Sequence, residues 1–437
     1  MTHSPAHPLP TPPHPGAERG KQLTMFGGAR LQMTDSIRLT AESLTTYGAK
    51  HPHWAVAYSG GKDSSTLLTL LVYLIAAGMV PRPQTLTVLY ADTRLELTPL
   101  AIAAQQILDE LQDRGIEARV VLPPLDLRFL VYILGRGVPP PNNNTLRWCT
   151  RQTKVEPMAR ELERLAEERG TGRMVNRGKG WKFESFPGEK VLMLTGVRQG
   201  ESAIRDGRIA MSCGVNGAEC GQGWYQETLP DQLCNTLAPI LHWRVCHVWE
   251  WLRHWAPQPE FGDWPTKMIA DAYGGDEAEE LNARTGCVGC PLAQRDTALD
   301  ALLCNPRWAY LAPLKELRPL WRELREPRNR LRKPGGETRK DGSLVDNQHR
   351  MGPVTLEARR EALSRVLEIQ TRCNERAERE RRPLVDLLNA EEEGRIRELI
   401  AAGTWPQRWS GEEPLATAPF EEHGQGTLLP MLEEAFR

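Results

Sequence analysis

The chain of 437 residues lacks several things, and each absence removes a class of protein. No apolar run approaches the ~20 residues needed to cross a bilayer, so a membrane partner is not expected. The opening MTHSPAHPLPTPPHPGAERG has no apolar signal core and reads as a disordered tail over 1–24. Its His3, His7 and His14 are explained by compositional bias, with metal binding the alternative. Net charge is nearly absent: 55 Lys and Arg against 56 Asp and Glu leave -1, so any nucleic-acid partner needs a local basic patch. No internal repeat is found. Cysteine is not scarce, but nine is an odd number, which argues against a disulfide framework and for a reducing, cytoplasmic setting.

What is present reads as an α/β protein. Apolar strands are expected at 53–59, 85–93, 118–123 and 191–197. Helices are expected at about 34–46, 64–77, 98–114 and 155–168. Alternation of the two implies βαβ units and a parallel sheet. The segment 171–190 reads as a solvent-facing insertion. Cys213 to Gly223 is rich in Gly and Cys, 236–255 reads as a Trp-rich helix, and 355–402 as a helical tail.

SGGKDSS follows the first strand and opens a helix. Unpaired amides and the helix dipole make such a junction an anion site. Gly60 and Gly61 allow close backbone approach, Ser59, Ser64 and Ser65 add hydroxyls, and Lys62 adds charge. Asp63 is suited to Mg²⁺ or to holding the loop. The spacing is not that of a Walker A loop. Asp92 ends the second strand, where ligands of open parallel sheets sit. Arg198, Glu201 and Arg205 follow the strand at 191–197, and an arginine fork suits phosphate.

Cys287-Val-Gly-Cys290 is a CxxC on a glycine turn, a spacing shared by zinc, redox and iron–sulfur sites. Cys149 lies in RWCTRQTKVEP. Cys213 and Cys220 form a second, loop-like pair. Cys246 and Cys304 read as buried thiols and Cys373 as incidental. From 312 to 342, ten basic residues (Lys315, Arg318, Arg322, Arg325, Arg328, Arg330, Arg332, Lys333, Arg339, Lys340) face five acidic ones, ten minus five being +5. Such a patch could engage phosphates, or be a solvated face.

SGGKDS resembles the PP-loop of ATP pyrophosphatases, the adenine-nucleotide α-hydrolase superfamily that includes the phosphoadenosine phosphosulfate reductases. The resemblance implies a Rossmann-like core, ATP with Mg²⁺, and cleavage between the α and β phosphates. RWCTRQTKVEP resembles the cysteine-bearing element of those reductases, whose cluster-holding members carry a Cys-Cys pair here. Trp148 replaces one of that pair. From about 34 to 410 the order of segments is most similar to the DndC-type DNA phosphorothioation sulfurtransferases, through FLVYILGRGVPPPNNNTLRWCT, TGCVGCPLAQRDTALDALLCNPRWAYLAPLKELR, GPVTLEARREAL and LLNAEEEGRIRELI. That resemblance implies a [4Fe–4S] cluster on Cys149, Cys234, Cys287 and Cys290, with zinc the alternative. It also implies DNA as acceptor, a cysteine desulfurase as sulfur donor, and other phosphorothioation proteins as partners.

The organisation expected is a PP-loop core at 25–212, a cluster-binding region at 213–310, a basic and helical region at 311–410, and a tail at 411–437. A sulfonucleotide reductase, a tRNA thiolation enzyme and a non-enzymatic nucleotide- and DNA-binding subunit are the rivals. The reductase reading expects a nucleophilic cysteine in the tail, and none follows Cys373.

Overall fold

The computed structural model describes residues 32–142, 147–176, 178, 180–186, 189–199, 233–274, 286–339 and 341–417. Five strands form one parallel sheet: β1 (His53–Tyr58), β2 (Thr85–Ala91), β3 (Glu117–Val121), β6 (Val191–Thr195) and β7 (Cys234–Leu237), in the order β3-β2-β1-β6-β7. Between β3 and β6 lies an antiparallel hairpin of β4 (Gly172–Asn176) and β5 (Trp181–Ser185). A small pair, β8 (Arg330–Arg332) and β9 (Met351–Val354), lies further on.

The chain runs outward from β1 to β3, then returns to place β6 on the other side of β1. That reversal puts a crevice at the carboxyl ends of β1 and β6, where ligands of open α/β sheets bind. Strand alternation splits the core in two. Trp54, Val56 and Tyr58 face one side, with α1 (Met33–Gly48), α2 (Lys62–Ala76) and α3 (Thr98–Asp113). Ala55 faces the other, with α4 (Glu156–Glu168).

Helix α2 is buried all round from Ser64 to Leu74, which accounts for its unbroken apolar sequence. Its outer side is covered by the Trp-rich segment, where α5 (Val245–Glu250) continues as a wide π-helical turn to Trp255. Trp251 Nε1 donates to Thr69 Oγ1 at 2.9 Å, satisfying a buried indole against a helix hydroxyl. The expected helix over 236–255 is thus corrected at its start: 234–237 is the fifth strand.

The rest of the chain comprises α6 (Thr297–Cys304), α7 (Leu317–Glu323), α8 (Leu356–Glu380) and α9 (Ala390–Ala401). One continuous apolar cluster runs from Met33 to Ile400. Ion pairs tie α9 and the segment before it to the loops after β2 and β3: Arg94 to Asp386 at 2.6 Å, Arg128 to Glu391 at 2.8 Å and Arg395 to Asp126 at 2.6 Å. Among the described residues no helix is long and apolar enough to cross a membrane.

The basic stretch at 312–342 is mostly consumed inside the protein. Lys315 pairs with Asp300, Arg328 with Glu326, Arg339 with Asp346, and the buried Lys333 with Glu413. Arg318, Arg325, Arg330 and Arg332 donate to backbone carbonyls. These contacts brace the surrounding loops, while Lys315, Arg328 and Arg339 stay on the surface. Cys304 is exposed rather than buried, and Cys373 is fully buried.

Gly48 closes α1 against Trp54, whose indole donates to His51 O at 2.9 Å. A Cβ on Gly48 would run into the Trp54 ring. Gly48→Ala should cost about 1–3 kcal/mol, the usual range for overpacking, seen as a lower midpoint in urea unfolding.

Candidate active site

Two loops meet at the crevice. The first, Ser59 to Ser65, joins β1 to α2. Gly60 has φ +71° and sits over Tyr90 and Ala104, a position a side chain would strain. Gly61 caps α2 with no side-chain bond to the first turn. Ser64 Oγ binds back to Ser59 Oγ at 3.1 Å and donates to Gly61 O at 3.1 Å, so the loop is stitched from within. The amino end of α2 then lies at the crevice with its positive dipole end, its Lys62 amide held by Tyr273 and its Ser65 amide by Gly61 O.

The second loop, Gly196 to Arg198, leaves β6. The buried Arg198 donates through Nε to Asp63 Oδ1 at 2.5 Å and through Nη1 to Trp243 O at 3.1 Å. Asp63 Oδ2 accepts from Lys62 Nζ at 2.8 Å. Both oxygens of Asp63 are thus held by cations, and Asp63 ties the two loops together. Gly196 permits the closure: a Cβ there would lie 2.8 Å from Ser64 N and 2.9 Å from Asp63 O.

Tyr273, from a 3₁₀ turn at Lys267–Tyr273, completes the floor. Its hydroxyl accepts the Lys62 amide at 3.2 Å, and Lys62 Nζ lies 5.2 Å from its ring centre. Lys62 is buried. Tyr273 carries no signal in the sequence that would mark it for this place.

Asp92 stands at the exit of β2. Its amide donates to Val121 O at 3.1 Å and its Oδ1 accepts the Arg94 amide at 2.7 Å, holding a turn in which Arg94 has φ +64°. Glu201 and Arg205, and the rival cysteines Cys213 and Cys220, lie outside the described residues.

The thiols gather beside this same exit. Val288 N–H donates to Leu95 O at 2.7 Å, which ties the CxxC loop to the chain leaving β2. Arg318 braces the other side of that loop at Ala293 and Gln294, and Arg325 at Pro291. Trp148 stacks near Phe129 and Tyr132 and donates to Pro139 O at 3.1 Å, anchoring Cys149 next to it. Burial pushes the Cys287 thiol up to about 11; Lys154 opposes this, and Glu96, Cys290 and Cys149 add to it. Burial likewise raises Cys149. Glu96, which accepts from Thr93 Oγ1 at 2.6 Å, is also raised by burial, opposed by Thr93 and Lys154.

Cys234 is not part of this group. It is the first residue of β7, in register with Val191 at the start of β6, and so lies at the amino end of the sheet. It is buried among Ala55, Met158 and Val191, on the opposite face from Cys149 and Cys287. The four-cysteine set is corrected accordingly: Cys149 and Cys287 pack on one side of the sheet and Cys234 on the other. Among the described residues no three His, Cys, Asp or Glu side chains converge in metal-binding geometry. Cys149, Cys234, Cys287 and Cys290 are therefore not brought to one point, and Cys149 would meet Cys287 and Cys290 only if the CxxC loop closed on it.

No protein-family model matches the chain, and no curated protein matches it. Among solved structures it is similar to Candida glabrata FMN adenylyltransferase in complex with FMN and an ATP analogue, at 16% identity over 51% of this chain and 57% of that one, TM-score 0.29. It thus spans little more than half the length of that enzyme. It is also similar to the U34-tRNA thiolase NcsA from Methanococcus maripaludis with its [4Fe-4S] cluster, at 14% identity over 67% of this chain and 79% of that one, TM-score 0.30. Such scores are too low to carry an activity, a substrate or a cofactor across.

The clamp gives a direct prediction. Gly196→Ala should force the two loops apart and destabilise the fold by about 1–3 kcal/mol, because the added methyl would press on the backbone of Asp63 and Ser64. A lower midpoint in urea unfolding checks it.

Proposed function

We propose that the chain is an ATP-using sulfurtransferase that adenylates a DNA backbone phosphate and exchanges a non-bridging oxygen for sulfur. The observation that carries the ATP half is the glycine loop at the sheet's switch point, clamped by Asp63 and Arg198 and roofed by the buried Lys62. The sulfur half is supported by the three thiols beside the exit of the neighbouring strand, together with the ordered resemblance of the segments from 34 to 410.

In this reading the acceptor oxygen attacks the α-phosphorus of ATP. The bond to the bridging oxygen of the β-phosphate breaks and pyrophosphate leaves. Lys62 and the first-turn amides of α2 take up the charge developing on that leaving group. Arg198, locked to Asp63, keeps the lysine and the loop aligned, so it is a positioning residue. A persulfide drawn from a cysteine desulfurase then attacks the acceptor phosphorus through its terminal sulfur, AMP departs with the original oxygen, and a second thiol attacks the inner sulfur, breaking the S–S bond to leave the phosphorothioate and a disulfide. Both oxygens of Asp63 are already engaged, so Asp92 is the carboxylate with capacity for the Mg²⁺ that accompanies ATP. An iron–sulfur cluster, if carried, would be held by Cys149, Cys287 and Cys290 and would supply sulfur or electrons; the steps above do not pass through it. Cytoplasmic work alongside other phosphorothioation proteins completes the proposal.

Pyrophosphate release tests the reading. ATP with DNA should give release that Lys62→Met lowers by about 100-fold or more, as loss of a charge stabiliser does. Release stimulated by tRNA or by adenylylsulfate instead would move the acceptor to RNA or to sulfonucleotides. ATP binding with no turnover on any acceptor would leave a regulatory subunit. Iron content of anaerobically purified protein tests the thiols: Cys149→Ser and Cys287→Ser should lose it while Cys234→Ser keeps it. Zinc in place of iron would end the cluster proposal.

A further inference from the structure

The stretch after α7 holds cations that the bracing does not neutralise. Arg322 lies on α7, Arg325 just past its end, and Arg330 at the start of β8. The acids nearest in sequence are engaged elsewhere: Glu323 with Arg365 at 2.6 Å, and Glu326 with Arg328 at 2.9 Å. Lys315, Arg328, Lys333 and Arg339 of the same stretch each have a carboxylate partner. Among the described residues none pairs with Arg322, Arg325 or Arg330.

Arg330 is the informative member. It is 7% exposed, and its Nε donates to Gly352 O. Among the described residues its two terminal nitrogens have no hydrogen-bonding partner. Unlike the orphaned nitrogens of Arg359, which are sealed in, they keep contact with solvent. Arg325 spends Nε on Trp321 O at 3.3 Å and Nη2 on Pro291 O at 3.4 Å, which leaves Nη1 without a partner among the described residues. Pro291 follows Cys290, so this guanidinium sits against the CxxC loop.

Like charges held together away from water repel. Burial, and then the charge of Arg325, brings the Arg330 guanidinium down to about 10. Burial, and then Arg322, lowers Arg325 in the same way. Arg395, bonded to Asp126, is raised instead. A buried cation without a counter-ion costs stability, and a bound anion offsets that cost.

We infer that Arg322, Arg325 and Arg330 form a phosphate-binding site beside the CxxC loop. Planar guanidinium forks match the oxygens of a phosphate, and a spherical halide cannot use them. A lone carboxylate brings one charge to three cations, whereas a pyrophosphate or successive phosphates of a backbone bring several. The inference goes beyond the sulfur-transfer reading, since it needs neither the glycine loop nor the thiols to react.

Inorganic pyrophosphate is titrated calorimetrically into the full chain at fixed ionic strength. The proteins compared are the parent, Lys62→Met, Arg330→Gln, and Arg322→Gln combined with Arg325→Gln. Lys62→Met should keep a bound pyrophosphate, and both arginine variants should weaken it about tenfold or more, as loss of charge-assisted hydrogen bonds does. Arg322 is exposed and Arg325 partly buried, so their double variant tests the site even if Arg330→Gln unfolds, and circular dichroism reports the fold. Binding that Lys62→Met abolishes and the arginine variants leave unchanged belongs to the glycine loop and overturns the inference. So does acetate that competes as well as pyrophosphate at equal ionic strength. A single-stranded oligodeoxynucleotide separates the sources of the phosphate: displacement of pyrophosphate from Lys62→Met points to a nucleic-acid backbone, and no displacement to a free diphosphate. Pyrophosphate held by these arginines, with no ATP-driven release on any acceptor, would sink the proposed function and leave this site standing.

Discussion

The bond between Arg198 and Asp63 is the constraint on which the candidate site depends. It joins residues 135 positions apart in sequence and closes the exit of β6 onto the loop after β1. A charge-assisted bond of this kind, both partners largely out of water, is strong only when its remaining donors and acceptors are satisfied. They are: Arg198 spends a second donor on Trp243 O, and Asp63 spends its second oxygen on Lys62. Leaving either member alone would strand a buried charge, so the pair holds the loop at a geometry the backbone alone would not fix.

Around that clamp the fold divides the labour. The sheet supplies position, since its order reverses between β1 and β6 and opens a crevice there. Helix α2 brings its positive dipole end to that crevice. The C-terminal helices supply bracing: Arg318 and Arg325 hold the CxxC loop, and Arg94, Arg128 and Arg395 tie the last helices to the strand exits. Several cations of the 312–342 stretch take part in this bracing.

Legibility in the sequence followed how local each signal was. The glycine loop was readable because strand, turn and helix sit within about twenty consecutive residues, and four of the five parallel strands showed as apolar runs. β7 was missed because Cys-Asn-Thr-Leu is short and half polar, and its pairing with β6 is made in space. Cys234 was assigned to the thiol group on resemblance, and nothing in a linear string tells which end of a parallel strand a residue occupies. Tyr273 reaches Lys62 across 211 positions, and Glu96 reaches the thiols only through the way β2 exits. The 171–190 insertion was seen as an insertion, but the register that sets Trp181 opposite Asn176 could be read only from the fold.

The hydrogen bond from Val288 to Leu95 has a consequence for distance. The glycine loop hangs from the exit of β1 and the CxxC loop is tied just beyond the exit of β2, and adjacent strands lie about 4.8 Å apart. The sheet thus works as a ruler between the glycine loop and the thiols. Their separation is set by main-chain pairing, which side-chain substitutions scarcely alter, so insertions in the loops would change traffic into the crevice without changing that gauge.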